Sequence, residues 1–226
     1  MDDKHRALVA IILVGMAPTI SICISFGTDA GMLSHVFYII SKIWMFGLPV
    51  LWYLKVDGGT LSWSKPERGG FRMGIGLGLA MSGMMLAAWL LLGKWLDADL
   101  LKSAVEPLGL MDKRVYVAGV LYWIFINSIL EEYVFRWFIV EKSEQFLGSA
   151  NAAIVLSALI FVLHHTIALA FFGFPWWANL IASVSLFIGG AIFSWLYIQY
   201  RSIWIPYVAH AICDVTVFAV GAIMLF

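Results

Sequence analysis

Three short stretches place polar and ionisable residues where the chain is otherwise apolar. N-S-I-L-E-E-Y-V-F-R at 127–136 carries Asn127, Glu131, Glu132 and Arg136. F-V-L-H-H at 161–165 carries His164 and His165, and H-A-I-C-D at 210–214 carries His210 and Asp214. Carboxylates and imidazoles move protons near neutral pH and bind divalent metals. Glu132 and Arg136, Phe161 and His165, and His210 and Asp214 are each four residues apart, so on a helix each pair shares a face. Glu132 and Arg136 are therefore expected to pair. Glu131 turns about 100° from Glu132. Its own helix offers it only Asn127, one turn earlier. Its other partner has to come from another helix or a wet cavity. Glu131, His165, His210 and Asp214, carried on three helices, form a catalytic or metal-binding set.

The elements that hold these residues are membrane helices. The chain has 226 residues, of which 62% are hydrophobic and 12% charged, with no net charge. Soluble domains carry about 25% charged residues. The composition describes one all-α integral membrane domain spanning 1–226, with a polytopic helical bundle and a polar site inside the membrane. It suggests neither a nucleic-acid partner nor a polybasic lipid anchor. Glu131, Glu132 and Arg136 lie in the apolar run Val115–Val140, which is long enough to cross a bilayer at about 20 residues and 1.5 Å rise each. A charge near a bilayer centre costs at least about 2.5 kcal/mol on insertion scales. Three together demand a reason.

The other apolar runs are Ala7–Phe26 with Pro18 inside it, Leu33–Leu54 with Lys42 near its middle, Met73–Gly93, Ala150–Phe172, Ala178–Tyr200 and Ile203–Phe226, about seven membrane helices in all. M-D-D-K-H-R leads into the first run without a small-residue cleavage site after it, so that run reads as a retained helix. D-G-G-T and K-P-E-R-G-G are turn signals in a basic loop. Lys94–Arg114 is the longest polar connection, and its leucine spacing up to Pro107 suggests a short amphipathic helix in the interface. Glu141–Ser149 reads as a polar loop, and the aromatics of G-F-P-W-W suit an interfacial belt. Gly74, Gly76, Gly78 and Gly83 read as close helix packing, because G-I-G-L-G lacks the strand and spacing of a nucleotide loop. Cys23 and Cys213 read as packing residues.

With the N-terminus inside, inner segments hold Lys4, Arg6, Lys55, Lys65, Arg68, Arg72, Lys142 and Arg201, and outer ones Lys94, Lys102, Lys113 and Arg114. This balance favours N-inside. All four outer cations fall in the 94–114 loop, so an inside location for that loop would mean a miscounted run. Rises of 1.5 Å per residue set Glu131 roughly 13 Å, Asp214 roughly 16 Å, His210 roughly 10 Å and His165 roughly 22 Å from the inner ends of their helices. All four can meet in mid-membrane. Lys42 is either a carboxylate partner or a snorkelling stem. His164 is a spare beside His165, and His5 and His35 are peripheral.

These motifs resemble a known family. E-E-Y-V-F-R resembles the first motif, E-E-x-x-x-R, of the CPBP (or Abi) intramembrane proteases, the group that includes the eukaryotic CAAX prenyl endopeptidase. F-V-L-H-H is similar to the second, F-x-x-x-H, which selects His165 over His164. H-A-I-C-D is similar to the third, H-x-x-x-N or H-x-x-x-D, and R-S-I-W-I-P-Y-V-A is similar to its lead-in. The resemblance covers roughly Val115 to Val217, the expected catalytic core, here taken as 115–217. Trp137 stands where many members have glycine after the arginine and removes no chemical group.

The resemblance implies an intramembrane endopeptidase acting on a membrane-associated protein or peptide. Some members cut after a prenylated cysteine, and others are linked to bacteriocin maturation or self-immunity. Glu131, His165, His210 and Asp214 would be catalytic, supported by Glu132, Arg136, Phe161 and Asn127. The location expected is a prokaryotic plasma membrane crossed several times, with the lipid bilayer as partner. Two mechanisms stay open. Without a cofactor, Glu131 is general base for a water also held by His165, and His210 with Asp214 stabilises the oxyanion. With zinc, Glu131, His165, His210 and Asp214 are the ligands. The metal-free version is preferred because the H-E-x-x-H helix signature is missing. Two other classes compete. A proton-coupled transporter would use the same buried groups, although no internal repeat is visible. A non-catalytic scaffold would bind peptides and have no need of Glu131.

Overall fold

The computed structural model describes residues 2–27, 32–60 and 62–226, apart from the side chains of 32–35, so the side chain of His35 falls outside it. Helix is the only regular structure among these residues, and seven helices are long and apolar enough to cross a membrane. The chain is an all-α, multi-pass integral membrane protein. Its spans are Asp3–Gly27, the helix Met32–Lys55, Phe71–Trp95, Lys113–Leu147, Ala150–Phe171, Trp176–Tyr200 and Trp204–Leu225.

The first span is broken at Met16, two residues before Pro18, whose ring and missing N–H interrupt the ladder. The 94–114 connection forms a helix at Ala98–Val105, capped by Asp97, whose carboxylate accepts from Asp99 N and Leu100 N at 3.0 and 3.2 Å. Pro107 stands in the short 3₁₀ turn that follows it. Val105 is buried with Tyr116 and Leu225, so this helix seals the end of the bundle formed by the fourth and seventh spans. The loop after the second span lies at the other end, where Ser202 Oγ donates to Ser64 O at 2.6 Å and Trp204 Nε1 to Trp63 O at 2.8 Å. The two connections therefore cap opposite ends, as a count of seven requires.

Glu141–Ser149 is not a loop. The fourth span stays helical to Leu147 and turns at Gly148, which takes φ 68°. Its polar residues are satisfied by tertiary partners that the local sequence does not contain. Lys142 Nζ meets Asp57 Oδ2 at 2.6 Å, and Arg201 grips Glu144 with two bonds of 2.7 and 3.0 Å.

Two of the four glycines in the third span do the packing expected of them. A Cβ on Gly74 would come within 2.7 Å of Ile205 O, and one on Gly78 within 3.0 Å of Ala209 Cα and O. Gly76 and Gly83 face open space. One helical turn after Gly78, Ser82 Oγ donates to Ile212 O at 3.1 Å. This contact fixes the seventh span over just the stretch that carries His210 and Asp214. Cys213 packs there, whereas Cys23 is exposed on the outer surface of the first span, so only one cysteine is a packing residue. His5 is exposed at the N-terminus with Asp2 beside it.

Candidate active site

The fourth span changes character where the polar residues lie. It is α-helical from Lys113, π-helical over Trp123–Asn127, α-helical over Ser128–Glu131 and π-helical again over Glu132–Val140. Such turns close i→i+5 bonds and commonly accompany functional sites. Here the first widening coincides with Ser128, whose Oγ reaches back five residues to Trp123 O at 2.7 Å.

Glu131 keeps the partner expected in its own helix: Asn127 Nδ2 donates to its Oε1 at 2.7 Å. Its other oxygen, Oε2, lies 3.8 Å from His210 Nε2 on the seventh span. Ligand atoms of Glu131, His164 and His165 all fall within 4.8 Å of one another. The expected convergence of the fourth, fifth and seventh spans is therefore present, and His164 belongs to it as fully as His165. His164 is buried and stacks on Phe135 at 5.4 Å between ring centres, so it is not simply a spare.

Both imidazoles of the expected set are held by Nδ1. His165 Nδ1 is 2.9 Å from Phe161 O, and His210 Nδ1 is 2.8 Å from Glu132 Oε1. A carbonyl and a carboxylate can only accept, so each Nδ1 carries a hydrogen, and His210 Nε2 faces Glu131. His210 Nε2 also lies 3.6 Å from Asp214 Oδ1, its neighbour one turn on. Asp214 Oδ2 is 2.5 Å from Ser128 Oγ. Ser128 was not singled out by sequence. The one signal for it was a hydroxyl at membrane depth three residues before Glu131.

The Glu132–Arg136 pair forms as the spacing requires, with Nε 3.3 Å from Oε2 and both side chains fully buried. The guanidinium lies against the rings of Phe161, Phe193 and Phe135, with its central carbon 4.5, 5.4 and 5.8 Å from their centres. Its charge is thus balanced by one carboxylate and by the negative faces of three rings. Phe161 serves twice, through its carbonyl to His165 and its ring to Arg136. Phe193 also stacks on His210 at 5.0 Å. Trp137 fills the seam toward the second span, stacked on Tyr133 and edge-on to Tyr53.

Lys42 is the only part of the second span to reach this network through a polar side chain among those described. Its Nζ lies 3.5 Å from Asn127 Oδ1, between the rings of Tyr38 and Phe46.

Residues 113–216 match the family model described as type II CAAX prenyl endopeptidase Rce1-like. This segment is similar to the CPBP, CAAX-protease family. The CPBP-like segment begins at the first residue of the fourth span, contains all three motifs and ends just beyond Asp214. It overlaps the stretch that carries the motifs, and the matched model is that of an endopeptidase. Lys42 lies outside it. No curated protein and no solved structure gave a match.

Proposed function

We propose that this chain is an intramembrane endopeptidase in which Glu131 activates the attacking water. The observation that carries this reading is the placement of the Glu131 carboxylate. One oxygen is tied to Asn127, and the other faces His210 Nε2 at 3.8 Å, too far for a direct hydrogen bond but close enough for one water to touch both. Glu131 takes a proton from that water, and the hydroxide adds to the scissile carbonyl carbon. His210 Nε2 stabilises the oxyanion when it carries a proton, and Asp214 keeps the ring in position. Collapse of the tetrahedral intermediate breaks the C–N bond, and Glu131 returns its proton to the leaving amine. His165, fixed through Phe161, orients the water from the fifth span. Glu132 and Arg136 hold His210 from beneath.

The donors also fit a divalent cation. Glu131, His164 and His165 bring three ligand atoms within 4.8 Å of one another. Zinc bound there would lower the pKa of its water to about 7. Glu131 would then be a ligand, with His210 left to stabilise the oxyanion and Asp214 to hold its ring.

The membrane is proposed to be a prokaryotic plasma membrane, with the N-terminus inside. The substrate is a peptide or protein held at the bilayer, lipidated or not. The test is purified protein in lipid nanodiscs with peptide substrates read by mass spectrometry. Wild type cleaves, and Glu131→Gln inserts, folds and binds but does not cleave. Unchanged cleavage by that variant removes the glutamate from the mechanism. Binding without any cleavage by wild type leaves a scaffold.

A further inference from the structure

Lys42 belongs to no motif and lies outside the segment that matches the family, yet it is aimed at the active site. It stands thirteen residues before the end of its helix, about 20 Å along the axis, so its stem cannot carry the ammonium to water at that end. The side chain turns inward to Asn127 instead, at 3.5 Å. Tyr38 and Phe46, one turn before and one turn after, place their rings 5.4 and 5.6 Å from Nζ. Aromatic faces hold a cation but leave its charge intact. Among the described residues no carboxylate comes within ion-pair distance of it. Asn127 spends its amide N–H on Glu131 and its oxygen on Lys42, and so stands between base and cation. A membrane-embedded cation without an ion-pair partner marks a functional site, and here that site adjoins the proposed base.

We propose that Lys42 is a specificity residue that binds the free C-terminal carboxylate of the substrate peptide. This rests on the endopeptidase reading above. The asparagine amide links Nζ to the Glu131 carboxylate over about 8 Å at most, counting one amide between the two measured contacts. Two or three residues of extended peptide span about 7–10 Å. A scissile carbonyl at Glu131 therefore puts the terminal carboxylate of a short leaving segment at Lys42. An amide terminus or a long C-terminal extension supplies no anion at that distance. An aspartate or glutamate side chain in the leaving segment is the other source of a carboxylate, and it lacks this fixed main-chain spacing.

Binding is measured with Glu131→Gln protein, so that no cleavage intervenes. The probe is a fluorescent peptide with a farnesylated cysteine three residues before its end, made as the free acid and as the carboxamide. A third version is a carboxamide with glutamate as its last residue. The free acid is expected to bind about tenfold to a hundredfold more tightly than either amide, the scale of one charge-assisted hydrogen bond. Adding Lys42→Met should weaken the acid to the level of the amides and leave the amides unchanged, and Lys42→Arg should restore most of the preference. Equal binding of acid and amide by the Lys42 protein overturns the proposal, as does an acid preference that survives Lys42→Met. Tighter binding of the glutamate-ended amide than of the acid also overturns it, in favour of a side-chain carboxylate. Cleavage of the same peptides by protein with Glu131 intact is scored separately. Binding discrimination without cleavage sinks the endopeptidase reading and leaves Lys42 as an anion site. Cleavage of acid and amide at equal kcat/KM, both lowered alike by Lys42→Met, assigns Lys42 to positioning Asn127 and Glu131 instead.

Discussion

His210 Nδ1 lies 2.8 Å from Glu132 Oε1. Glu132 is thus shared between two helices. One oxygen holds the imidazole of the seventh span, and the other faces Arg136 in its own. The spacing E-x-x-x-R accounts for only half of this.

Glu132→Gln keeps an acceptor for His210 but removes the charge that fixes the hydrogen on Nδ1. Cleavage is expected to fall by about tenfold or more in kcat with little change in KM, because the lost interaction positions a group acting in the transition state. Steady-state kinetics on nanodisc protein measure the split. An unchanged kcat would show that His210 is positioned without this carboxylate.

Arg136→Ala is expected to be worse for folding than for chemistry. It leaves Glu132 fully buried without its cation, and breaking a buried pair from one side costs roughly 3–5 kcal/mol. Glu132→Gln should be milder, and the double variant milder than Arg136→Ala alone. Thermal unfolding in detergent orders the three. Wild-type stability in all of them would mean that water reaches this face.

Asp214 tests the zinc set expected from the motifs, in which it is a ligand, against the metal-free reading. Its Oδ2 faces Ser128 and its Oδ1 faces His210, and neither contact needs a negative charge. Asp214→Asn is expected to keep substantial activity and to lose whatever part of the pH–rate profile that carboxyl supplies. Rates are compared with and without chelator and added Zn²⁺. Activity lost in the variant and recovered with zinc would place the residue on a metal. Activity retained in the variant and in chelated wild type would exclude one.

The third span offers a control pair within one helix. Gly78→Val drives methyl groups against the Ala209 backbone, which cannot yield as a side chain can, while Gly76→Val points into open space. Gly78→Val is expected to lower both stability and cleavage by displacing His210. Gly76→Val should change neither. Equal effects would mean that the third and seventh spans are not in tight contact in the membrane.

The spans were legible because a bilayer imposes one length and one composition on every crossing, so seven apolar runs became seven helices, close to the expected ends except where the fourth continues past Val140 to Leu147. The site was legible as far as i, i+4 arithmetic reaches: Asn127 to Glu131, Glu132 to Arg136, Phe161 to His165. What crosses between helices was not. Ser128 meets Asp214, and Glu132 meets His210, across more than seventy residues of sequence. Glu131 and Glu132 reach one imidazole from different edges, at Nε2 and Nδ1. Helix continuation past Glu141 was missed because Lys142 and Glu144 owe their partners, Asp57 and Arg201, to tertiary structure.

The Trp204–Leu225 helix is the last of the seven to leave the ribosome, and it brings His210 and Asp214 to carboxylates laid down far earlier. Until then Glu131 has Asn127 and Glu132 has Arg136, and no imidazole from the seventh span lies between the two glutamates. The newly made chain must carry a half-neutralised cluster through the whole synthesis of the fifth and sixth spans. Its final helix acts as the closing piece that turns a liability of biogenesis into a working centre, and a chain interrupted before Trp204 would display that cluster to whatever membrane machinery surveys unassembled helices.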